Sequence, residues 1–295
     1  MALSHDELWP RAGDWPALDS SDGAVDLALI GVPAWRTSLS PTGAHATPAA
    51  VRDALRRYSP ALMDGAVDLG ALRIVDAGDV AEPDGPDGEA AVRALAAAVA
   101  ARARLVVALG GDNSATFGVA QGVGASGLIT LDAHFDLRDG VSNGSPVRRL
   151  IEDGLDPRRI VQVGIADFAN SVAYARRAAD YGITVIGLDD VRRRDAADVM
   201  AQALEVAGAG GGGIHLDIDV DVCDRSVAPG CPASVPGGLA AWELRALVRA
   251  TASDPRLESA DIVEVDATAD APDQRTVRLA ALCVLELLAG LGTRA

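Results

Sequence analysis

The segment Leu105–Asp136, LVVALGGDNSATFGVAQGVGASGLITLDAHFD, holds two continuous apolar runs, Leu105 to Leu109 and Leu128 to Leu131, each followed at once by a polar turn. Runs of this kind, without polar alternation, are what strands buried on both faces require. The first turn, Gly110-Gly111-Asp112-Asn113-Ser114, precedes a helix, so the segment reads as strand, helix, strand. Such a unit pairs its strands in parallel. The second turn, Asp132-Ala133-His134-Phe135-Asp136, then falls at a strand's carboxyl end, the edge where open α/β sheets bind ligands.

The same rhythm extends in both directions. Further strands are expected at Val25 to Ile30, Arg73 to Ala77, Ile160 to Ile165, Ile183 to Leu188, Ile214 to Asp219 and Asp261 to Val265. Helices are expected at Thr47 to Tyr58, Gly88 to Arg104, Ser145 to Asp153, Ser171 to Tyr181, Asp195 to Ala207, Ala241 to Ala252 and Gln274 to Leu291. The expectation is a three-layer α/β fold, a mainly parallel sheet of about eight strands flanked by helices. No Ser/Pro-rich linker or charge block interrupts the pattern, so residues 1–295 are expected to form a single domain, with 1–24 a surface arm. Pro83 to Gly88 and Gly208 to Gly213 read as flexible loops.

Composition narrows the partners. The chain has 295 residues, 49% apolar but only 3% aromatic, so its core must be aliphatic and closely approached. A formal charge of −16, from 26 Lys+Arg against 42 Asp+Glu, argues against nucleic acid and anionic membranes. A small molecule is the expected partner. The cysteines Cys223, Cys231 and Cys283 are odd in number and lack CxxC spacing, which suits unpaired thiols in a reducing cytosol. With no secretory pattern and no apolar run able to span a bilayer, a cytoplasmic protein is expected.

Acidic clusters carry the chemistry. Asp132, His134 and Asp136 share a parity, so near-extended backbone would aim them at one point. Two carboxylates and an imidazole are poor core residues and good ligands for a hard metal, although a capping or salt-bridged loop would use the same residues. In His215-Leu216-Asp217-Ile218-Asp219-Val220-Asp221-Val222-Cys223-Asp224, strict alternation puts Asp217, Asp219 and Asp221 on one face. Successive same-face side chains lie only ~7 Å apart, so these carboxylates repel unless a cation joins them. His215 lies ~13 Å from Asp219 along a strand, too far for the same ion, and reads as structural. Glu264, ending the run Ile262-Val263, is either a partnered structural charge or a grip for a cationic substrate group.

Taken in order, GGDNS (Gly110–Ser114), DAHFD (Asp132–Asp136), DVDVCD (Asp219–Asp224) and EVDAT (Glu264–Thr268) resemble the ureohydrolases: arginase, agmatinase, guanidinobutyrase and formimidoylglutamase. Gly31-Val32-Pro33, the stretch Gly43 to Arg52 and Pro236-Gly237-Gly238-Leu239 add to a resemblance running from about residue 26 to 290. It implies a parallel-sheet fold and up to two manganese ions per chain, bridged by a hydroxide that attacks an amidine or guanidine carbon. The implied metal ligands are Asn113, Asp132, His134, Asp136, Asp219 and Asp221, with Asp217 a second choice, because counting back from Asp224 in DxDxxD selects Asp219 and Asp221. Asp136, Glu264 and Asn143 are the catalytic candidates; Arg138, Asn143 and Glu264 are the substrate-binding ones. The resemblance also implies a homo-oligomer.

Two positions depart from the family pattern. Asn113 stands where the family has the histidine of Gly-Gly-Asp-His-Ser, and Asn143 where a histidine often precedes a glycine. A neutral amide oxygen holds a transition metal less well than imidazole, so the ion near Asn113 is expected to be the weaker one. The stretch from Asp132 to Ser171, with DRSVAPGCP (Asp224–Pro232), looks most like formimidoylglutamases, enzymes of histidine metabolism that convert N-formimidoyl-L-glutamate to L-glutamate and formamide. That substrate carries two carboxylates, for which Arg138 or Arg36 would be the cationic anchor. A guanidine hydrolase releasing urea and a non-catalytic relative are the alternatives.

Overall fold

A computed structural model describes residues 6–294. The strands are β1 (Val25–Val32), β2 (Ala61–Leu62), β3 (Val67–Asp68), β4 (Ile74–Asp79), β5 (Ala103–Gly110), β6 (Gly127–Leu131), β7 (Ile160–Ile165), β8 (Thr184–Gly187), β9 (Ile214–Asp219) and β10 (Leu257–Val263). Eight of them form one sheet in the order β4-β1-β5-β10-β9-β6-β7-β8, and every pairing in it is parallel. The remaining two, β2 and β3, make a small antiparallel ribbon.

Alternation along the strands sorts the core onto two faces. Leu27, Leu29, Leu105 and Val107 belong to one apolar cluster with residues of the helices Thr47–Leu55, Ala196–Ala207, Ala241–Ala252 and Arg275–Leu291. Ala28, Ile30, Val106 and Ala108 belong to another, with residues of Gly85–Ala100 and Ser114–Gly122. Helices on both faces make a three-layer α/β structure, which is why the central strands read as unbroken apolar runs.

The expected elements recur with local corrections. The helix expected to run to Arg104 stops at Ala100, because Ala103 already begins β5 beside Val25. Pro83 to Gly88, expected as a flexible loop, instead opens that helix at Gly85, with a proline in its first turn where a missing N–H is harmless. Gly208 to Gly213 is a turn, with left-handed backbone at Gly210, Gly211 and Gly212. The expected strand ending at Leu188 stops at Gly187, and Leu188–Arg192 is a short helix. The expected strand to Val265 ends at Val263, since Glu264 takes a left-handed conformation that a strand cannot continue.

Residues 1–5 of the expected arm lie outside the described residues. The rest of it runs beside the sheet edge: Ala12 is buried and donates to the Tyr58 carbonyl, and Asp76 of β4 donates to that of Pro16. No helix among the described residues is long and apolar enough to cross a membrane. The central strands β5, β10, β9 and β6 are neighbours, and their carboxyl ends lead directly into GGDN, EVD, DVD and DAHFD. The sheet order thus gathers four motifs that are far apart in sequence.

A candidate metal centre and active site

Local geometry at each strand end explains the gathering. A Cβ on Gly111 would collide with the Ala34 carbonyl, and one on Gly110 with Val263, so only glycines let β5 exit between β1 and β10. Gly111 donates to the Val32 carbonyl and accepts from the Glu264 N–H, each at 2.9 Å, which sets Glu264 beside Asn113. At the end of β6, Asp132 Oδ1 accepts from the His134 N–H at 2.6 Å. At the end of β9, Asp219 Oδ1 accepts from the Asp221 N–H at 2.9 Å.

These turns correct the expectation of extended backbone. Asp132 to Asp136 is not a strand continuation: it turns, and Asp136 is left-handed at φ 51°. Carboxylate-capped turns therefore bring the i and i+2 side chains together. Asn170 holds the loop in place, accepting from the Phe135 N–H at 3.1 Å and donating to the Ala133 carbonyl at 2.8 Å. Sequence reasoning missed Asn170, since an isolated asparagine in a loop carries no pattern.

Two groups of side chains converge tightly enough to hold cations. Asp132, His134 and Asp221 form one triad; Asp132, Asp136 and Asp219 form the other; within each, the ligand atoms lie within 4.8 Å of one another. Asp132 is common to both. His134 Nδ1 lies 3.0 Å from Asp221 Oδ2 and 3.4 Å from Asp132 Oδ1. Asn113 borders the second triad, its Nδ2 donating to Asp136 Oδ2 at 2.7 Å and to Asp219 Oδ2 at 3.3 Å, while Oδ1 accepts from Thr116 at 2.5 Å. In this arrangement the amide nitrogen faces the carboxylates, so ligation would require the side chain to turn its oxygen inward, and Thr116 could then accept instead of donate.

The electrostatics call for positive charge. Asp132, Asp136, Asp219, Asp221 and Glu264 are all buried. Asp132 Oδ2 and Asp221 Oδ1 have no hydrogen-bond partner among the described residues. Burial and the charge of Asp221 push Asp132 up to about 6. Asp136 and Asp219 are raised well above the ordinary carboxylate range, by burial first and then by Asp132 and Asp221 respectively. Burial opposes charge on His134, yet Asp221 and Asp132 outweigh it and raise the imidazole to about 12. Unit charges 4 Å apart repel by about 4 kcal/mol at an effective dielectric of 20, so several adjacent buried carboxylates are unstable without cations. The donors, carboxylate oxygens with one imidazole, suit Mn²⁺-like ions.

Glu264 closes the site. Its Oε1 accepts from the Asn113 N–H at 2.7 Å and from Asn143 Nδ2 at 2.8 Å, leaving Oε2 without a hydrogen bond among the described residues. Burial, then the charge of Asp112, pushes Glu264 up to about 8. Asn143 also accepts from the Leu39 N–H at 3.0 Å, tying the loop after β1 to the site. A cavity of about 380 Å³ opens above these groups, lined by His134, Asp136, Arg138, Asn143, Asp219, Asp221 and Glu264 and walled by Ser38, Leu39, Asn170 and Tyr174. Ser38 had no sequence signal; it donates to Asp112 Oδ2 at 2.5 Å.

Other candidates fall elsewhere. Arg36 pairs with Glu82 at 2.5 Å, both exposed, and does not line the cavity. His215 is fully buried, 2.8 Å from Ser259 Oγ and 3.1 Å from Asp261 Oδ2, behind the centre rather than in it. Asp217 faces this inner network: it belongs to neither triad, and neither of its oxygens has a hydrogen-bond partner among the described residues.

Comparison with known proteins matches this arrangement. Residues 25–290 match the Arginase family. Formimidoylglutamase from Halalkalibacterium halodurans is 34% identical over 275 residues, covering 89% of this chain and 86% of the relative. The crystal structure of formimidoylglutamase from Bacillus subtilis superposes with a TM-score of 0.92 at 31% identity, covering 99% of this chain and 95% of that one. Formiminoglutamase from Trypanosoma cruzi, solved with Mn²⁺, superposes with a TM-score of 0.84 at 25% identity, covering 92% and 95%.

Proposed function

The chain belongs to the arginase family, and from that premise we propose that it hydrolyses a linear amidine, converting N-formimidoyl-L-glutamate and water to L-glutamate and formamide. The observation that carries the reading is the pair of largely buried triads meeting at Asp132, with the carboxylate of Glu264 lining the same cavity beside Asn113. Two Mn²⁺ ions held by Asp132, His134, Asp136, Asp219 and Asp221, with Asn113 beside the second, would supply an activated water near neutral pH.

The chain's own residues supply the rest. Glu264 has Oε2 available for the amidinium N–H groups while Asn113 and Asn143 hold Oε1, so the planar cation is gripped by a charge-assisted bond in a fixed orientation. An amidinium beside it also favours the ionised form that burial disfavours. Asp136, which lines the cavity beside both triads, is the group we assign to accept a proton from the attacking water and return it to the leaving nitrogen. Arg138 stands at the cavity wall as the cation for a substrate carboxylate. A homo-oligomer in the cytoplasm, serving histidine breakdown, completes the proposal; the three buried free cysteines support the reducing setting, and fractionation with sizing chromatography checks both points.

The deciding experiment supplies manganese-loaded protein with N-formimidoyl-L-glutamate, arginine, agmatine and guanidinobutyrate and measures formamide and urea. Formamide from the first substrate alone is the expected result. Urea from any guanidine at higher kcat/KM would replace this substrate, and silence with all four at full metal occupancy would favour a non-catalytic relative.

A further inference from the structure

The loop that carries Arg138, between Asp136 and the helix Pro146–Glu152, has no regular secondary structure, so its carbonyls need partners from elsewhere. Two arginines provide them. Arg148 donates through Nε to the Arg138 carbonyl at 2.6 Å and through Nη2 to that of Gly140. Arg177, from the helix Val172–Tyr181, donates through Nη1 to the Leu137 carbonyl and to Asp139 Oδ1, both at 2.7 Å. The Arg138 N–H meets the Gly144 carbonyl at 2.9 Å, and the Arg138 stem lies over Gly144, where a Cβ would come within 2.7 Å of Cδ.

The backbone around Arg138 is thus fixed, while its guanidinium makes no hydrogen bond or ion pair among the described residues. Several exposed arginines in this chain of charge −16 pair with a near neighbour in sequence, as Arg158 does with Asp156 and Arg275 with Asp273, while Arg57 and Arg176, away from the cavity lining, are like Arg138 without a side-chain partner among the described residues. The equivalent neighbour of Arg138 is Asp139, and Arg177 already holds it.

We propose that Arg177 is a positioning residue that sets selectivity for acidic substrates: by holding Asp139 and the Leu137 carbonyl, it keeps the Arg138 charge uncompensated and turned over to the substrate's carboxylate. The proposal rests on the dicarboxylate reading above. It requires no change at the reacting atoms, so its signature lies in KM and in discrimination between substrates.

The test compares wild type, Arg177→Met and Arg177→Met/Asp139→Asn on N-formimidoyl-L-glutamate and on N-formimidoyl-L-norvaline, which lacks the side-chain carboxylate, together with calorimetric binding of L-glutamate. Arg177→Met should raise KM for the first substrate about fivefold and weaken glutamate binding similarly, with kcat held within about twofold and the norvaline analogue unaffected. Adding Asp139→Asn should restore KM to within about twofold, because the released competitor is then neutral; a merely structural role for Arg177 would not be rescued in this way. An unchanged KM, equal loss on both substrates, or failure of the rescue overturns the proposal. Arg138→Met separates the two levels. If wild type does not discriminate between the two substrates, the dicarboxylate reading falls and takes the proposal with it. If wild type discriminates and Arg138→Met leaves that unchanged, the reading stands but Arg138 is not the anchor and the proposal falls; if Arg138→Met abolishes discrimination while Arg177→Met does nothing, only the role of Arg177 falls.

Discussion

The two triads share Asp132 and a buried setting, yet they are finished differently. One has His134, a nitrogen donor held between Asp132 and Asp221. The other has Asp136 and Asp219, and where a nitrogen donor could stand it has Asn113, whose amide currently serves as a hydrogen-bond donor to both carboxylates. Each triad is thus bridged by one side chain, the first by an imidazole that is also a good metal ligand and the second by an amide that is a poorer one. Two neighbouring sites on one scaffold can therefore differ in affinity through a single side chain, because an amide oxygen must first give up its present bonds and is then the weaker ligand.

The shared corner gives the largest expected effect. Asp132→Ala removes a ligand from both triads, so hydrolysis should fall by about a thousandfold or more and metal content should drop at both sites. Asp219→Ala should likewise abolish hydrolysis and lower metal content, with the second triad hit hardest. Metal analysis of purified variants beside steady-state rates checks this. If Asp132→Ala keeps both its metal and its rate, the shared corner is not real.

Most of the fold was legible because each central strand is apolar throughout and each ends abruptly in charge, as β6 does between Leu131 and Asp132. The motifs were legible for the same reason. Their convergence was inferred from parity along an extended chain, and the structure reaches it through turns at Asp132 and Asp219 instead. Contacts such as Asn170 to the Ala133 carbonyl and Ser38 to Asp112 were not legible, since each joins segments tens of residues apart and depends on the strand order. Arg36 failed as an anchor for a comparable reason: Glu82, distant in sequence, is its neighbour in space.

The next effect separates the metal-free from the loaded state by pH. Asp132 is raised to about 6 and Glu264 to about 8, chiefly by burial, and His134 is raised to about 12 against its burial by Asp221 and Asp132. All three folded values lie above the unfolded ones, so what these groups contribute to stability is present at low pH and is lost as pH rises through the folded values. Metal-free protein should thus become less stable between about pH 5 and 8.5, by about 5 °C or more in Tm, while manganese should cancel most of the trend by replacing protons with a cation. Thermal unfolding with and without chelator across that range measures it. A metal-free Tm that rises with pH would mean that the carboxylates are already ionised and compensated, and the electrostatic case for cations at both triads would weaken.

The smallest effect bears most directly on the difference between the triads. Asn113→His puts an imidazole where the amide now bridges Asp136 and Asp219, and it gives the second triad the nitrogen donor that the first already has. Asn113 is 1% exposed and its oxygen accepts from Thr116, so the larger ring must displace that hydroxyl contact and should cost about 1 kcal/mol of metal-free stability. Against that, wild-type protein should purify with fewer than two manganese ions per chain unless metal is added, and the variant should hold the second ion at lower free metal, by about tenfold. Activity should rise only if formation of the attacking hydroxide limits the rate, so metal titration, not turnover alone, is the measurement that decides. Full occupancy of both sites in the unmodified protein, with no gain from histidine, would show that Asn113 turns its oxygen inward at little cost or that a further side chain completes the second site, and the two triads would then be equals despite their different residues.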